Sequence, residues 1–136
     1  MGNTKFLLLI LGIVVLTGFK FSSNGPGIEA GLFKVTIMYP SGKDKTFDMD
    51  YYEKSHMPMM AGILGKNLKF YEIDKGISGR TPNDEPPYVA VGYFYCYNVA
   101  EYGQAIAKNR DTVLNDIKKY TNIQPVILIS EIRQVK

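Results

Sequence analysis

The amino-acid sequence predicts a single α+β domain with the element order βαββαβ. Four stretches in which apolar and polar or small residues alternate with a period of two predict strands, and two stretches with helix-start signals separate them. The chain has 136 residues, a length typical of one domain rather than two. With 46% apolar and 21% charged residues, its composition is that of a globular protein, neither disordered nor fibrous.

Charge and cysteine content exclude several classes of protein. Sixteen Lys and Arg residues against thirteen Asp and Glu give a net charge of +3, spread along the chain without the basic stripe that nucleic-acid binding requires. The single cysteine, Cys96, excludes an intramolecular disulfide framework and a multi-cysteine metal site. It lies on a strand between tyrosines, so we expect a buried, inert thiol. We expect no cofactor, and no metal because Glu72, Asp74 and Glu131 are scattered along strands and do not form a metal site together with a single histidine.

The N-terminus differs in character from the rest of the chain. Residues 6–19 (FLLLILGIVVLTGF) form an apolar run of the size of a secretory signal, shorter than the roughly 20 residues that span a membrane. A loose spacer of Gly, Ser, Pro and Asn follows. We therefore expect residues 1–27 to be a signal peptide, or an uncleaved membrane anchor, plus spacer. The protein is then exported to the periplasm or the exterior, and it touches a membrane only through residues 6–19 if that segment is retained.

Residues 31–136 form the predicted folded domain. In the first predicted strand, Phe33, Val35, Ile37 and Tyr39 share one face. The third predicted strand is apolar on both faces. The four predicted strands are Leu32–Tyr39, Leu68–Ile77, Tyr88–Tyr97 and Pro125–Val135.

Two helical regions connect these strands. The first contains Phe47–Pro58 (FDMDYYEKSHMP), in which Asp48 suits the N-cap and Pro58 is expected to close the segment. The second begins after Asn98, with Glu101 at the spacing of a capping box. One stripe of this region is apolar, with a break expected near Asn109. Its members are Tyr102, Ile106, Val113, Ile117 and Tyr120.

This element order is the ferredoxin-like split arrangement, in which a four-stranded antiparallel sheet carries both helices on one face. The second face of the third strand, formed by Val89, Val91, Tyr93 and Tyr95, would then lie against Val35 and Ile37 or face solvent. A bare apolar patch of that size usually marks an interface. We therefore expect a homodimer in which two sheets pack face to face.

Three groups of residues carry a resemblance to a known family. They are Phe47–Tyr52 with His56-Met57-Pro58, then Pro87–Ala90 at the start of the third strand, and Tyr120–Val126 followed by Ile129-Ser130-Glu131. In order and spacing these resemble the EthD-like proteins of the dimeric α+β barrel superfamily, from about Leu32 to the C-terminus. The resemblance implies the dimeric barrel. Relatives on this fold include cyclases, isomerases, cofactor-free oxygenases, haem-handling proteins and members with no known activity.

The segment that follows Asp48 carries the candidate site. At 100° per residue, Met49, Tyr52 and His56 fall on one side of the helix, and Tyr52 and His56 are neighbours because they are four residues apart. A histidine beside a phenol can act as general acid or base next to a substrate carbonyl without a metal. Asp48 is a weaker candidate because it suits a helix cap, and Tyr51 is interpreted as a core residue. A purely structural role for His56, bonded to a backbone carbonyl, stays open.

Two functions follow from these residues. The first is a cofactor-independent enzyme of the cyclase, isomerase or lyase type acting on a hydrophobic, carbonyl-bearing small molecule, with His56 as acid or base and Tyr52 assisting. The alternative is a non-catalytic dimer that holds an apolar ligand in the barrel interior, with haem binding as a variant of it.

Overall fold

A computed structural model describes residues 27–136. The predicted signal peptide or anchor, apart from Gly27, lies outside the described residues. The four strands are β1 (Phe33–Pro40), β2 (Leu68–Lys75), β3 (Tyr88–Cys96) and β4 (Val126–Glu131). They form one antiparallel sheet with the order β2-β3-β1-β4, which confirms the predicted ferredoxin-like arrangement. The second and fourth strands are shorter than predicted.

Both helical regions pack on one face of the sheet and enclose the core. The first consists of α1 (Met49–Tyr51), a π-helical turn (Tyr52–His56), α2 (Met57–Leu64) and a 3₁₀ turn (Gly65–Asn67). The second is divided at Asn109, as predicted, into α3 (Val99–Lys108) and α4 (Arg110–Ile117). None of the helices within residues 27–136 is long and apolar enough to cross a membrane.

Side chains cap both helical regions at their N-termini. The Asp48 carboxylate accepts from the Tyr51 N–H at 3.0 Å, which places this residue as the predicted cap. The Asn98 side chain accepts from the N–H groups of Ala100 and Glu101. In a capping box the Glu101 side chain would accept from the Asn98 N–H. That N–H instead donates to the Asn67 side-chain oxygen at 2.8 Å. That bond ties the start of α3 to the turn after α2.

Pro58 does not close the first helix. The helix widens before it, and the Met57 N–H donates to the carbonyl of Tyr52 five residues earlier. A proline inside a helix lacks an N–H and crowds the carbonyl four residues before it, so the preceding turn opens. The helix then continues to Leu64 and ends at Gly65, whose φ of 53° suits a residue without a side chain. The result is a π turn that contains both Tyr52 and His56.

The register of the sheet corrects one prediction about its faces. Val35 lies opposite Phe94 and Ile37 opposite Gly92, so both side chains point to the helices, away from the open face. Two positions were expected for the face that contains Val91 and Tyr93, against Val35 and Ile37 or toward solvent, and the first of these is wrong. Val91 and Tyr93 instead share the open face with Met38 and Thr36, their cross-strand partners on β1.

The open face of the sheet is more polar than predicted. The Tyr95 hydroxyl donates to Glu72 at 2.7 Å, and the Tyr95 ring stacks on Phe70 at 4.2 Å between centroids. The Lys34 ammonium lies 5.7 Å from the centre of the Tyr93 ring. The apolar exposure of this face is concentrated on the edge strand β4, where Val126 and Leu128 are 48% and 53% exposed.

Candidate functional site

His56 is buried between the helices and the sheet, and its partner comes from the second helical region. Its Nδ1 lies 2.8 Å from Oδ2 of Asp116, a residue on α4 that is itself buried. The π turn presents His56 on the inner side of the first helix, and the packing of α4 against that helix brings the carboxylate to the ring. π-helical turns are frequent at functional sites.

Three donors surround the Asp116 carboxylate. Besides His56, the Tyr51 hydroxyl donates to Oδ1 at 2.8 Å and the Lys119 ammonium donates to the same oxygen at 3.1 Å. Burial would raise the pKa of this carboxyl, but the hydrogen bonds from His56, Tyr51 and Lys119 outweigh burial and lower the pKa below its ordinary value. Asp116 is therefore an ionised carboxylate at neutral pH.

The protonation state of His56 follows from its surroundings. Burial lowers its pKa below the ordinary value, and the hydrogen bond and charge of Asp116 oppose the effect without cancelling it. The imidazole is therefore neutral at neutral pH. Because the ionised Asp116 can only accept, Nδ1 carries the hydrogen and Nε2 keeps its lone pair. Nε2 has no hydrogen-bond partner among the described residues.

An apolar cavity of about 230 Å³ lies beside His56. Residues of the sheet and of helices α2, α3 and α4 line it, and three lining residues, Leu114, Gln124 and Ile127, are exposed to solvent. Four lining residues carry polar side-chain groups, His56, Tyr39, Tyr102 and Gln124, and the rest of the wall is aliphatic or proline. The cavity therefore lies on the helix face of the sheet and is distinct from the space between two sheets in which a bound ligand was expected.

Tyr52 is close to His56, as predicted, but its hydroxyl is directed elsewhere. The two rings are nearly parallel, with centroids 5.6 Å apart. The Tyr52 hydroxyl points at the sheet, where a Cβ added to Gly92 would come within 2.1 Å of the oxygen. The hydroxyl has no hydrogen-bond partner, and burial raises its pKa. Tyr52 does not line the cavity, so its ring supports His56 while its hydroxyl faces away from a ligand there.

Comparison with solved structures identifies the family. The crystal structure of an EthD-like protein from Ralstonia eutropha JMP134 is 34% identical to this chain, with a TM-score of 0.75, over 79% of this chain and 97% of that protein. The chain belongs to the EthD-like family. This confirms the predicted family.

A second solved EthD-like structure is more distant. The EthD family protein from Bacillus halodurans C-125 is 16% identical over 74% of this chain and 97% of that one, with a TM-score of 0.56, and so shares the fold. No protein-family model and no curated protein matches the chain.

Sequence reasoning missed two members of this EthD-like site, Asp116 and Lys119, and placed Tyr51 in the core. A signal for Asp116 was present, because it falls on the apolar stripe of the second helical region, three residues after Val113 and four before Tyr120. An acid at a core position of a helix requires partners. Tyr51 and Lys119 carried no such signal, since a half-buried tyrosine and an exposed lysine are ordinary helix residues.

The remaining predicted residues of the EthD-like chain lie outside the cavity. Asp48 caps α1 and borders an open surface cleft together with Lys118. Met49 is half-buried and packs against the core. Cys96 is buried, and burial raises the pKa of its thiol to about 11, so the thiol is unreactive at neutral pH. Within residues 27–136, no three His, Cys, Asp or Glu side chains cluster as metal ligands would.

Proposed function

We propose that this EthD-like protein is a cofactor-independent enzyme that moves a proton next to the carbonyl group of a small hydrophobic molecule, as a cyclase, isomerase or lyase does. The observation that carries the proposal is the buried pair of His56 and Asp116 beside an apolar cavity. The Nδ1 of His56 is held by Asp116 at 2.8 Å, and the ring borders the cavity. A neutral imidazole with a free Nε2 is a general base.

The chemistry needs only groups of the chain and the substrate. Nε2 takes a proton from the carbon next to the carbonyl, and the electron pair of that C–H bond moves into an enolate. The Asp116 carboxylate stabilises the imidazolium that forms, as the aspartate of a Ser–His–Asp triad does in hydrolases. Return of the proton to another carbon gives isomerisation, and its transfer to a departing hydroxyl gives dehydration. Attack of the enolate on a second carbonyl gives cyclisation, with His56 protonating the new alkoxide.

The cavity limits the size and polarity of the substrate. An engineered apolar cavity of about 150 Å³ holds a benzene molecule, so about 230 Å³ accommodates one ring with a short substituent or a small fused pair. The aliphatic walls favour an uncharged molecule. The same volume argues against haem, and mixing the protein with haemin, followed by visible absorbance, tests that alternative.

The experiment is deuterium exchange into a panel of small cyclic ketones, among them 1-indanone, followed by NMR in D₂O. Exchange at the carbon next to the carbonyl reports proton abstraction without requiring the natural product. We expect His56→Ala to lower the catalysed rate by about 10²- to 10⁴-fold, the range of general acid–base catalysis. Asp116→Asn lowers it at least about tenfold, because the amide can hold the imidazole in the wrong tautomer.

Asp111→Asn is the matched control, since Asp111 lies exposed on the same helix as Asp116 and should leave the rate unchanged. Wild-type exchange no faster than that of His56→Ala contradicts the enzymatic proposal. Ketone binding in the cavity without catalysed exchange supports the second candidate, a non-catalytic binding protein, which the largely apolar wall with few polar groups also fits.

We further propose that the protein is a homodimer that covers the open face of its sheet. Support comes from the exposed apolar edge strand β4, in which Val126 and Leu128 on the open face are 48% and 53% exposed. Light scattering at micromolar concentration tests the proposed homodimer, and a monomer contradicts it.

Export is the last part of the proposed function. It rests on the apolar run of residues 6–19 and the spacer that follows. N-terminal sequencing of the protein recovered from fractionated cells distinguishes a cleaved signal peptide from a retained anchor. Recovery of the uncleaved chain in the cytoplasm contradicts both.

A further inference from the structure

The cavity beside His56 contains a second polar group that no contact within the described chain satisfies. Tyr102, on the first turn of α3, lines the cavity and is only 8% exposed. Its hydroxyl forms no hydrogen bond with any residue in the range 27–136. The other buried tyrosine of the wall, Tyr39, is already engaged, because its hydroxyl lies 2.8 Å from that of Tyr120.

The Tyr102 hydroxyl is not one of the fully enclosed side-chain groups that lack a partner, so it is accessible to a small molecule in the cavity that Tyr102 lines. Gln124, the remaining polar lining residue besides His56, is exposed to solvent. Burial, aided by the nearby Cys96, raises the pKa of Tyr102 to about 12. The hydroxyl is therefore protonated throughout the physiological range and is available as a donor.

We infer that Tyr102 is the residue that binds the oxygen of the ligand, by donating its hydroxyl hydrogen to a carbonyl or enolate oxygen in the cavity. This inference rests on the proposed function and specifies its substrate. The substrate is a single-ring or small fused-ring ketone whose oxygen reaches Tyr102 while the neighbouring C–H reaches His56. Because the two groups belong to different helices, they approach the ligand from separate parts of the wall.

Such a donor stabilises the negative charge that develops on oxygen when Nε2 removes the proton. The assisting role that the sequence suggested for Tyr52 thereby passes to Tyr102. Tyr102 reaches the cavity with an unpaired hydroxyl, whereas the hydroxyl of Tyr52 points at Gly92.

The test compares two probes of nearly the same shape, 1-indanone and indane, which differ in the carbonyl group. Binding to the full chain is followed by protein NMR chemical shifts. The wild type is expected to bind 1-indanone more tightly than indane. Tyr102→Phe is expected to weaken 1-indanone binding about tenfold and to leave indane binding unchanged. Tyr97→Phe, at a half-exposed position outside the cavity wall, should change neither affinity.

Three results would overturn the inference: unchanged 1-indanone affinity in Tyr102→Phe, an equal loss for both probes, or no binding of 1-indanone by the wild type. A second measurement uses the wild type alone, so its result does not depend on whether Tyr102→Phe folds. The carbonyl stretch of bound ¹³C-labelled 1-indanone should lie at lower frequency than in a hydrocarbon solvent, and an unshifted band contradicts a donor at this site.

The outcome separates this inference from the proposed function. If Tyr102→Phe binds 1-indanone normally while exchange still depends on His56, Tyr102 is not the donor and the acid–base proposal stands. If the Tyr102 results hold but no exchange is catalysed, the cavity is a ketone-binding site and the enzymatic proposal fails.

Discussion

At the scale of single residues, Asp116 determines what His56 can do. The sequence identified His56 as a candidate because it is the only histidine in the chain and lies four residues after a tyrosine. It could not identify the partner, which is 60 residues away and meets the ring only after two helices pack together. Without the position of that carboxylate, it could not be stated which ring nitrogen of His56 carries the hydrogen and which one is free.

The only histidine offers a direct test by NMR. We expect ¹⁵N shifts of the imidazole to show a neutral ring protonated at Nδ1 at pH 7, with a pKa below the ordinary 6.5 or so because the ring is buried. Asp116→Asn removes the charge that opposes this shift and should lower the pKa further. A pKa above the ordinary value, or a ring protonated at Nε2, contradicts the assignment of His56 as a base.

A second prediction concerns Tyr52, the other residue chosen from the sequence. Its hydroxyl is buried without a partner, so Tyr52→Phe removes an unsatisfied polar group and should leave the free energy of unfolding unchanged or raise it by up to about 1 kcal/mol. Deuterium exchange of 1-indanone should be unaffected. Urea denaturation and the exchange assay check the two parts, and a large loss of exchange would restore a catalytic role for this hydroxyl.

At the scale of elements, the sequence predicted where the helices begin better than how they continue. Side-chain caps are local signals, and Asp48 and Asn98 act as expected. The sequence did not predict the π turn, because a helical wheel with 100° per residue assumes a regular α-helix through His56. Pro58 was the available clue. It was interpreted as an end, whereas the helix accommodates it by widening one turn.

The close contact between this helix and β3 predicts the effect of one glycine substitution. A Cβ at Gly92 would approach the Tyr52 oxygen to 2.1 Å, so Gly92→Ala should lower the free energy of unfolding by about 1–3 kcal/mol through overpacking. The Tyr52→Phe background should recover part of the loss. Gly103→Ala is the control, because its Cβ meets nothing within 4 Å on an exposed helix position. That change should stabilise the protein by about 0.5–1 kcal/mol. Equal effects of the two alanines would contradict the contact.

At the scale of the whole molecule, the strand pattern was sufficient for the fold class. Four segments with period-two alternation and two helical regions leave few arrangements with short connections, and the sheet order follows the ferredoxin-like scheme. The strand pattern did not determine which face of the sheet meets the helices. Both sides of β3 are apolar, so the side that meets the helices is decided by pairing with β1, which a single sequence does not reveal.

The exposed edge strand predicts how the dimer can be weakened. Leu128 is 53% exposed on the open face, so in the proposed dimer Leu128→Glu would bury a charge and shift the equilibrium toward monomer by at least about tenfold. Ile77→Glu is the matched control, since Ile77 is 89% exposed beyond the end of β2. Sedimentation velocity distinguishes the two variants, and an unchanged Leu128→Glu dimer would move the interface elsewhere.

The pH dependence of deuterium exchange into 1-indanone tests the central claim, that neutral His56 is the base, most directly. Since burial lowers the pKa of His56, the base is neutral above that pKa and becomes protonated below it. We expect a catalysed rate that rises with pH, reaches half of its maximum at the pKa that NMR assigns to His56, and is absent in His56→Ala; that pKa lies below the ordinary value for histidine because the ring is buried. A catalysed rate in His56→Ala equal to that of the wild type would contradict it.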